Sequence, residues 1–213
     1  MAAKTILFDL DGTLTDSAEG IINCSTLALE HFGLPIPDRE TMRVFVGPPL
    51  HDTFVKFGVP EEKADEAVAV FRSRYFTVGK FENAPYPGIH ELLETLKSHG
   101  HTLLIATSKP ETLAFEVTKH FGLFDYFDRI CGATLDRSRV NKDDVIAYLL
   151  DQYQDDKERV MVGDTAFDVI GAAAHNIPTI GVSWGYGTAQ EMLDAGAIAI
   201  AEDMQHLLQL LEE

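Results

Sequence analysis

The apolar residues of this chain fall into two patterns that alternate along it. Short dense runs occur at residues 4–8 (KTILF), 102–106 (TLLIA), 159–162 (RVMV), 178–182 (PTIGV) and 197–201 (AIAIA). They lack the in-and-out alternation of a half-exposed strand, so they predict strands covered on both faces. Between them the apolar positions recur at helical spacing, over residues 89–99, 111–121, 142–152, 167–175 and 204–211. Strands alternating with helices predict an α/β fold with a doubly wound parallel sheet. Sites in such sheets lie beyond the carboxyl ends of the strands.

One stretch breaks the alternation. Residues 17–83 carry only helical patterns, punctuated by Gly and Pro at 33–37 and 47–49. The expectation is an all-helical cap inserted after the first strand. Residues 1–16 and 84–213 then form the α/β core, and residues 17–83 the cap domain. An insertion at this point of the chain suits a lid.

Composition narrows the classes. A chain of 213 residues makes one large domain, or a domain with an insertion, and 46% hydrophobic content is enough for a full core. The formal net charge of −17 disfavours nucleic acid as a partner. No run approaches the roughly 20 apolar residues of a membrane span, and no targeting segment is visible. Cys24 and Cys131 match no metal spacing and no disulfide framework. The expectation is a cytoplasmic protein, monomer or homodimer, with no membrane partner. His99 and His101 read as a surface turn.

The candidate chemistry sits where predicted strands end. Asp9-Leu10-Asp11-Gly12-Thr13 follows the first run. Residues i and i+2 of an extended chain share a face, so two carboxylates there point the same way unless the strand stops. Like charges that close need a bridging cation or a proton, and Mg2+, which takes oxygen ligands and pairs with phosphate, fits. A solvated Asp-Gly turn is the plainer reading of the same residues. Thr107-Ser108-Lys109 follows the second run, with hydroxyls and a cation. Gly163-Asp164 and Asp168 form a second acidic pair after the third run; a helix cap is the plainer reading there.

Taken together, these blocks resemble the motifs of the haloacid dehalogenase-like (HAD) superfamily. Asp9–Thr13 resembles its DxDGT motif, Thr107 its second, and Gly163-Asp164 with Asp168 its GDxxxD motif. Lys142 is the best match to the third-motif lysine, without the neighbouring proline that relatives often carry, and Lys109 is the other candidate. The resemblance extends over nearly the whole chain and looks most like the phosphoglycolate phosphatase branch and related 5′-nucleotidase-like members. It implies a small phosphorylated metabolite as substrate and Mg2+ as cofactor. Asp9 is then the nucleophile and Asp11 the acid–base. Gly12, Thr13, Thr107, Ser108 and Lys142 would bind the phosphoryl group. Asp9, Asp11 (through its carbonyl) and Asp164 would hold the metal, with Asp168 behind them orienting Lys142 or a metal-bound water. In the cap, Arg43 and the Gly47-Pro48-Pro49 loop are the candidate specificity elements, although Arg43 reads equally well as a solvated helix residue. Trp184 and Tyr186 either line the site or pack against the hinge. Asp11 sets the chain apart from dehalogenases. A sugar-phosphate mutase shares the DxDG core and is the enzymatic alternative. A binding protein on the same fold is the non-catalytic one.

Overall fold

The apolar runs become strands because each is walled in on both sides. The computed structural model describes residues 2–136 and 138–213. Its strands, in chain order, are β1 (Thr5–Phe8), β2 (Thr15–Asp16), β3 (Ala84–Pro85), β4 (Thr102–Pro110), β5 (Arg129–Ala133), β6 (Arg159–Gly163), β7 (Thr179–Val182) and β8 (Ala199–Ala201). Six of them form a parallel sheet in the order β5-β4-β1-β6-β7-β8. All four residues of β1 are buried. The short strands β2 and β3 pair where the chain passes into and out of the helical insertion.

In the chain that insertion follows β1 and precedes β4, and the chain divides into two compact units. One comprises Met1–Thr15 and Pro85–Glu213, the other Asp16–Ala84. The second contains α1 (Ala18–His31), α2 (Arg39–Met42), α3 (Leu50–Lys56) and α4 (Ala64–Tyr75). The helical pattern expected across residues 41–58 is interrupted: a 3-10 turn, Arg43–Phe45, gives way to an extended Val46 and a Gly47 at φ +101°. Pro48 and Pro49 follow, and proline lacks the N–H that a helix interior needs. Phe45 packs against Phe54 and Phe57, ring centroids 5.0 and 4.7 Å away. Arg74 clasps Glu82 with two hydrogen bonds of 2.6 and 2.7 Å.

In the α/β unit the remaining helices are α5 (Ile89–Ser98), α6 (Glu111–His120), α7 (Lys142–Gln152), α8 (Ala166–Ala173), α9 (Ala189–Asp194) and α10 (Met204–Glu212). The period of two sorts the core. Ile6 and Phe8 join Leu103, Ile105, Val160 and Val162 against α5, α6 and α10. Leu7, Leu104 and Met161 face the other way, against Val145, Ile146 and Leu149 of α7 and Ala172 of α8. Two elements escape the sequence pattern. β5 (RICGA) is short and ends in Gly-Ala, so no apolar run marks it, and the six-residue α9 is too brief for a period.

The strand order places a switch point at the centre. From β1 the chain goes on to β4 on one side, and from β6 to β7 on the other. Loops that diverge from two adjacent strands leave a crevice at their carboxyl ends. The Asp9 N–H still donates to the Val162 carbonyl at 2.9 Å, so this residue is held directly at that crevice.

Candidate active site

Asp9 is the first residue past β1 and is almost entirely buried, 9% exposed. Its Oδ1 lies 2.8 Å from the Lys142 ammonium. Lys142 opens α7, and its Nζ also lies 2.7 Å from Asp168 Oδ1 and donates to the Ala106 carbonyl at 2.9 Å. Burial opposes the charge on Lys142, but the carboxylates of Asp168 and Asp9 outweigh it and hold the ammonium's pKa above its ordinary value. Asp168 sits in the first turn of α8, where its other oxygen accepts from the Thr165 N–H at 3.1 Å and hydroxyl at 3.0 Å. The same carboxylate therefore caps a helix and holds Lys142. Both readings of that position come together.

Asp164 is the first residue past β6, the next strand over, and is fully buried. Thr13 donates its hydroxyl to Asp164 Oδ1 at 3.2 Å, and the Tyr186 N–H donates to Oδ2 at 2.8 Å. The Thr13 hydroxyl thus grips a carboxylate. Gly12 turns the chain at φ +88°, where a side chain would strike Asp164 and Tyr186. Gly185 is pressed as closely: a Cβ there would collide with the Asp164 carboxylate. Trp184 donates from Nε1 to the Thr13 carbonyl at 3.1 Å, so this loop braces the turn after β1 as well as Asp164.

Asp11 does not share Asp9's partners. β1 stops at Phe8, Asp11 makes an isolated bridge with Thr15, and its carboxylate faces a different lysine. Lys109 Nζ meets Asp11 Oδ1 at 2.9 Å and Oδ2 at 2.8 Å. The strand carrying Lys109 runs on to Pro110, past the expected end at residue 106, with a register shift between Thr107 and Pro110. Alternation along it buries Thr107 and Lys109 and exposes Ser108. The structure does not bring Ser108 into the group. Thr107 accepts the Lys109 N–H at 3.2 Å. Arg43 and Gly47 belong to the helical unit: Arg43 is half-buried in the 3-10 turn, and Gly47 is exposed.

The electrostatics are unbalanced. Carboxylate oxygens of Asp9, Asp164 and Asp168 lie within 4.8 Å of one another. Of these three acids, Asp9 and Asp168 pair with the Lys142 ammonium, while Asp164 has only hydrogen-bond donors from Thr13 and Tyr186. Burial pushes the Asp9 carboxyl up to about 6, against the pull of Lys142 and with added repulsion from Asp168 and Asp11. Burial, then Asp168 and Asp9, pushes Asp164 well above the carboxylate range, while the Tyr186 N–H and Thr13 hydroxyl pull it back. Two negative charges stay uncompensated when all three acids ionise, which one divalent cation corrects. The donors are hard oxygens, the set that suits Mg2+.

One expectation changes outside this cluster. His101 is buried, 5% exposed, and accepts the Lys4 N–H at 3.0 Å, so it is no surface-turn residue. Among the described residues no helix is long and apolar enough to cross a membrane.

Comparison with known proteins agrees with this geometry. The sequence model described as haloacid dehalogenase-like hydrolase matches residues 6–182. A 5′-nucleotidase of Pseudomonas aeruginosa is 41% identical over 209 residues, 97% of this chain and 95% of its own length. A phosphoglycolate phosphatase of Caulobacter vibrioides is 32% identical over 189 residues, 85% of this chain and 80% of its own. The tyrosine-protein kinase PtkA of Mycobacterium tuberculosis is 46% identical over 187 residues, 87% of this chain, but the match spans only 64% of that kinase. The crystal structure described as a predicted phosphatase from Clostridium acetobutylicum superposes with a TM-score of 0.92 at 40% identity, covering 100% of both chains. The chain belongs to the haloacid dehalogenase-like hydrolase family.

Proposed function

We propose that the chain is a Mg2+-dependent phosphatase that hydrolyses a small phosphate monoester through an aspartyl-phosphate on Asp9. The observation that carries this is the cluster of three buried carboxylates at the switch point, two of them paired with the Lys142 ammonium. Such a cluster costs stability unless it does chemistry. Asp9 attacks phosphorus in line, an Asp9–phosphorus bond forms as the bond to the leaving oxygen breaks, and Asp11 gives that oxygen its proton. Asp11 then takes a proton from water, which attacks the aspartyl-phosphate and releases phosphate and free Asp9. Lys142 faces Asp9 and balances the phosphoryl charge arriving there. Asp168 orients Lys142. Thr107 and the backbone N–H groups around Gly12 and Thr13 receive phosphoryl oxygens. Mg2+, held by Asp9, Asp164 and the Asp11 carbonyl, supplies charge neutralisation when bound.

Within that class we favour a nucleoside monophosphate or a phosphoglycolate-like acid. The first is supported by 41% identity to a 5′-nucleotidase over nearly the full length of both proteins. Arg43, with the loop at Gly47, is the part of the helical unit to test for substrate choice. Free, buried cysteines suit a reducing cytoplasm. The 46% identity to a tyrosine kinase supports a second reading, phosphoryl transfer from a nucleotide to a tyrosine.

Phosphate release tests these readings. Nucleoside monophosphates, phosphoglycolate, sugar phosphates and pyrophosphate are offered with Mg2+. β-Glucose 1-phosphate is also checked for isomerisation, and ATP for transfer to a tyrosine peptide. Release from a monoester supports the proposal. Isomerisation without release replaces it with a mutase, peptide labelling with a kinase, and no reaction of any kind with a binding protein.

A further inference from the structure

Resting on the phosphatase reading, one buried cation still has no task. The Lys109 side chain is 2% exposed, and its ammonium faces both oxygens of Asp11. Lys142 is placed differently. Its ammonium donates to the Ala106 carbonyl at 2.9 Å and is ion-paired with two carboxylates, Asp9 at 2.8 Å and Asp168 at 2.7 Å. Lys142 is thus committed to the protein, whereas Lys109 is held by the carboxylate that must turn to the leaving group.

We propose that Lys109 binds the substrate's phosphoryl group by exchanging partners with Asp11. In the resting enzyme the ammonium holds Asp11. An arriving phosphoryl group takes the ammonium and leaves the Asp11 oxygens to the leaving-group oxygen. The exchange keeps the buried ammonium paired throughout, which matters because a lone buried charge is costly. It also favours the phosphoryl group, whose oxygens carry more charge than a carboxylate and make strong charge-assisted hydrogen bonds. The backbone of Lys109 is fixed meanwhile, its N–H bonded to Thr107 Oγ1, so only the side chain need move.

The experiment is a double-mutant cycle on the affinity for inorganic phosphate at saturating Mg2+, read by calorimetry. The four chains are wild type, Lys109→Met, Asp11→Asn and the double variant, each checked for folding by thermal melting. Lys109→Met is expected to weaken phosphate binding at least about tenfold, at unchanged Mg2+ affinity. Asp11→Asn is expected to tighten it, because the ammonium is released. In the Lys109→Met background that tightening is expected to shrink several-fold, leaving only the gain from losing a negative charge. Lys109→Gln is measured alongside, so that poor folding of the Met variant does not decide the result. Phosphate affinity within twofold of wild type in both Lys109 variants overturns the inference and leaves the phosphatase reading standing. So does equal tightening by Asp11→Asn in both backgrounds. A wild-type chain that binds no phosphate with Mg2+ overturns both.

Discussion

The two ends of the sheet carry similar polar residues and use them in opposite ways. At the amino ends each group meets a local partner. The Lys4 N–H donates to His101, Lys157 donates to the Gly100 carbonyl at 3.1 Å and to Thr102 at 2.9 Å, and Arg159 donates to the Asp155 carbonyl at 3.1 Å. Thr5 gives its hydroxyl to Asp155. Burial holds His101 below the usual histidine pKa, so it serves as a neutral acceptor. At the carboxyl ends three acids crowd together, two of them paired with Lys142, and the pKa values of Asp9 and Asp164 are raised. The amino end closes loops. The carboxyl end keeps an electrostatic conflict that a divalent cation relieves.

The contrast breaks most visibly at Asp9. Asp9→Asn is expected to fold and to lose turnover by on the order of 10⁴-fold, as removal of a nucleophile does; steady-state phosphate release measures it. Asp164→Asn comes next. It is expected to weaken Mg2+ binding roughly 10- to 100-fold, judged from the effect of disturbing groups that orient a metal, with calorimetric titration as the readout. EDTA is expected to abolish activity of the wild type, and Mg2+ to restore it.

Stability sharpens the comparison further. The folded pKa of Asp9, about 6, lies above its ordinary 3.8. A raised carboxyl favours the folded state at low pH, and that contribution is lost as pH rises through the folded pKa. In EDTA, Asp9→Asn is therefore expected to melt above wild type at pH 7.5 by about 3 kcal/mol's worth of stability, with the gap closing as pH falls toward about 4. A gap independent of pH contradicts the conflict at this end. The smallest effect belongs to the amino end. His101→Ala leaves the Lys4 N–H without its acceptor and is expected to cost about 1–2 kcal/mol in denaturant unfolding, while kcat stays within about twofold because the residue is far from any reacting group.

How much of this was legible follows from where the information sits. The acids at 9, 11, 164 and 168 were legible because an apolar run that ends in Asp announces a strand end, and strand ends meet at one edge of the sheet. Their sorting was not. Asp11 finds Lys109 across 98 residues of sequence, and nothing local to either residue announces the pairing. Ser108 was misplaced because the strand was ended at residue 106; carried to Pro110, the period of two turns Ser108 outward between buried Thr107 and Lys109. The Trp184–Gly187 loop holds Asp164 through the Tyr186 backbone N–H and through the absence of side chains at Gly185 and Gly187, neither of which leaves a chemical mark in the sequence. β5 went unseen because Gly132 and Ala133 interrupt its apolar character, although its neighbour β4 supplies the pairing that makes it a strand.

The most direct measurement is fluorine NMR of the chain with Mg2+ and beryllofluoride, a stable mimic of a carboxylate-bound phosphoryl group. The account predicts bound resonances with the wild type and Mg2+ together, and their loss in Asp9→Asn or in EDTA. Bound resonances that survive in Asp9→Asn, or that form without Mg2+, would contradict it.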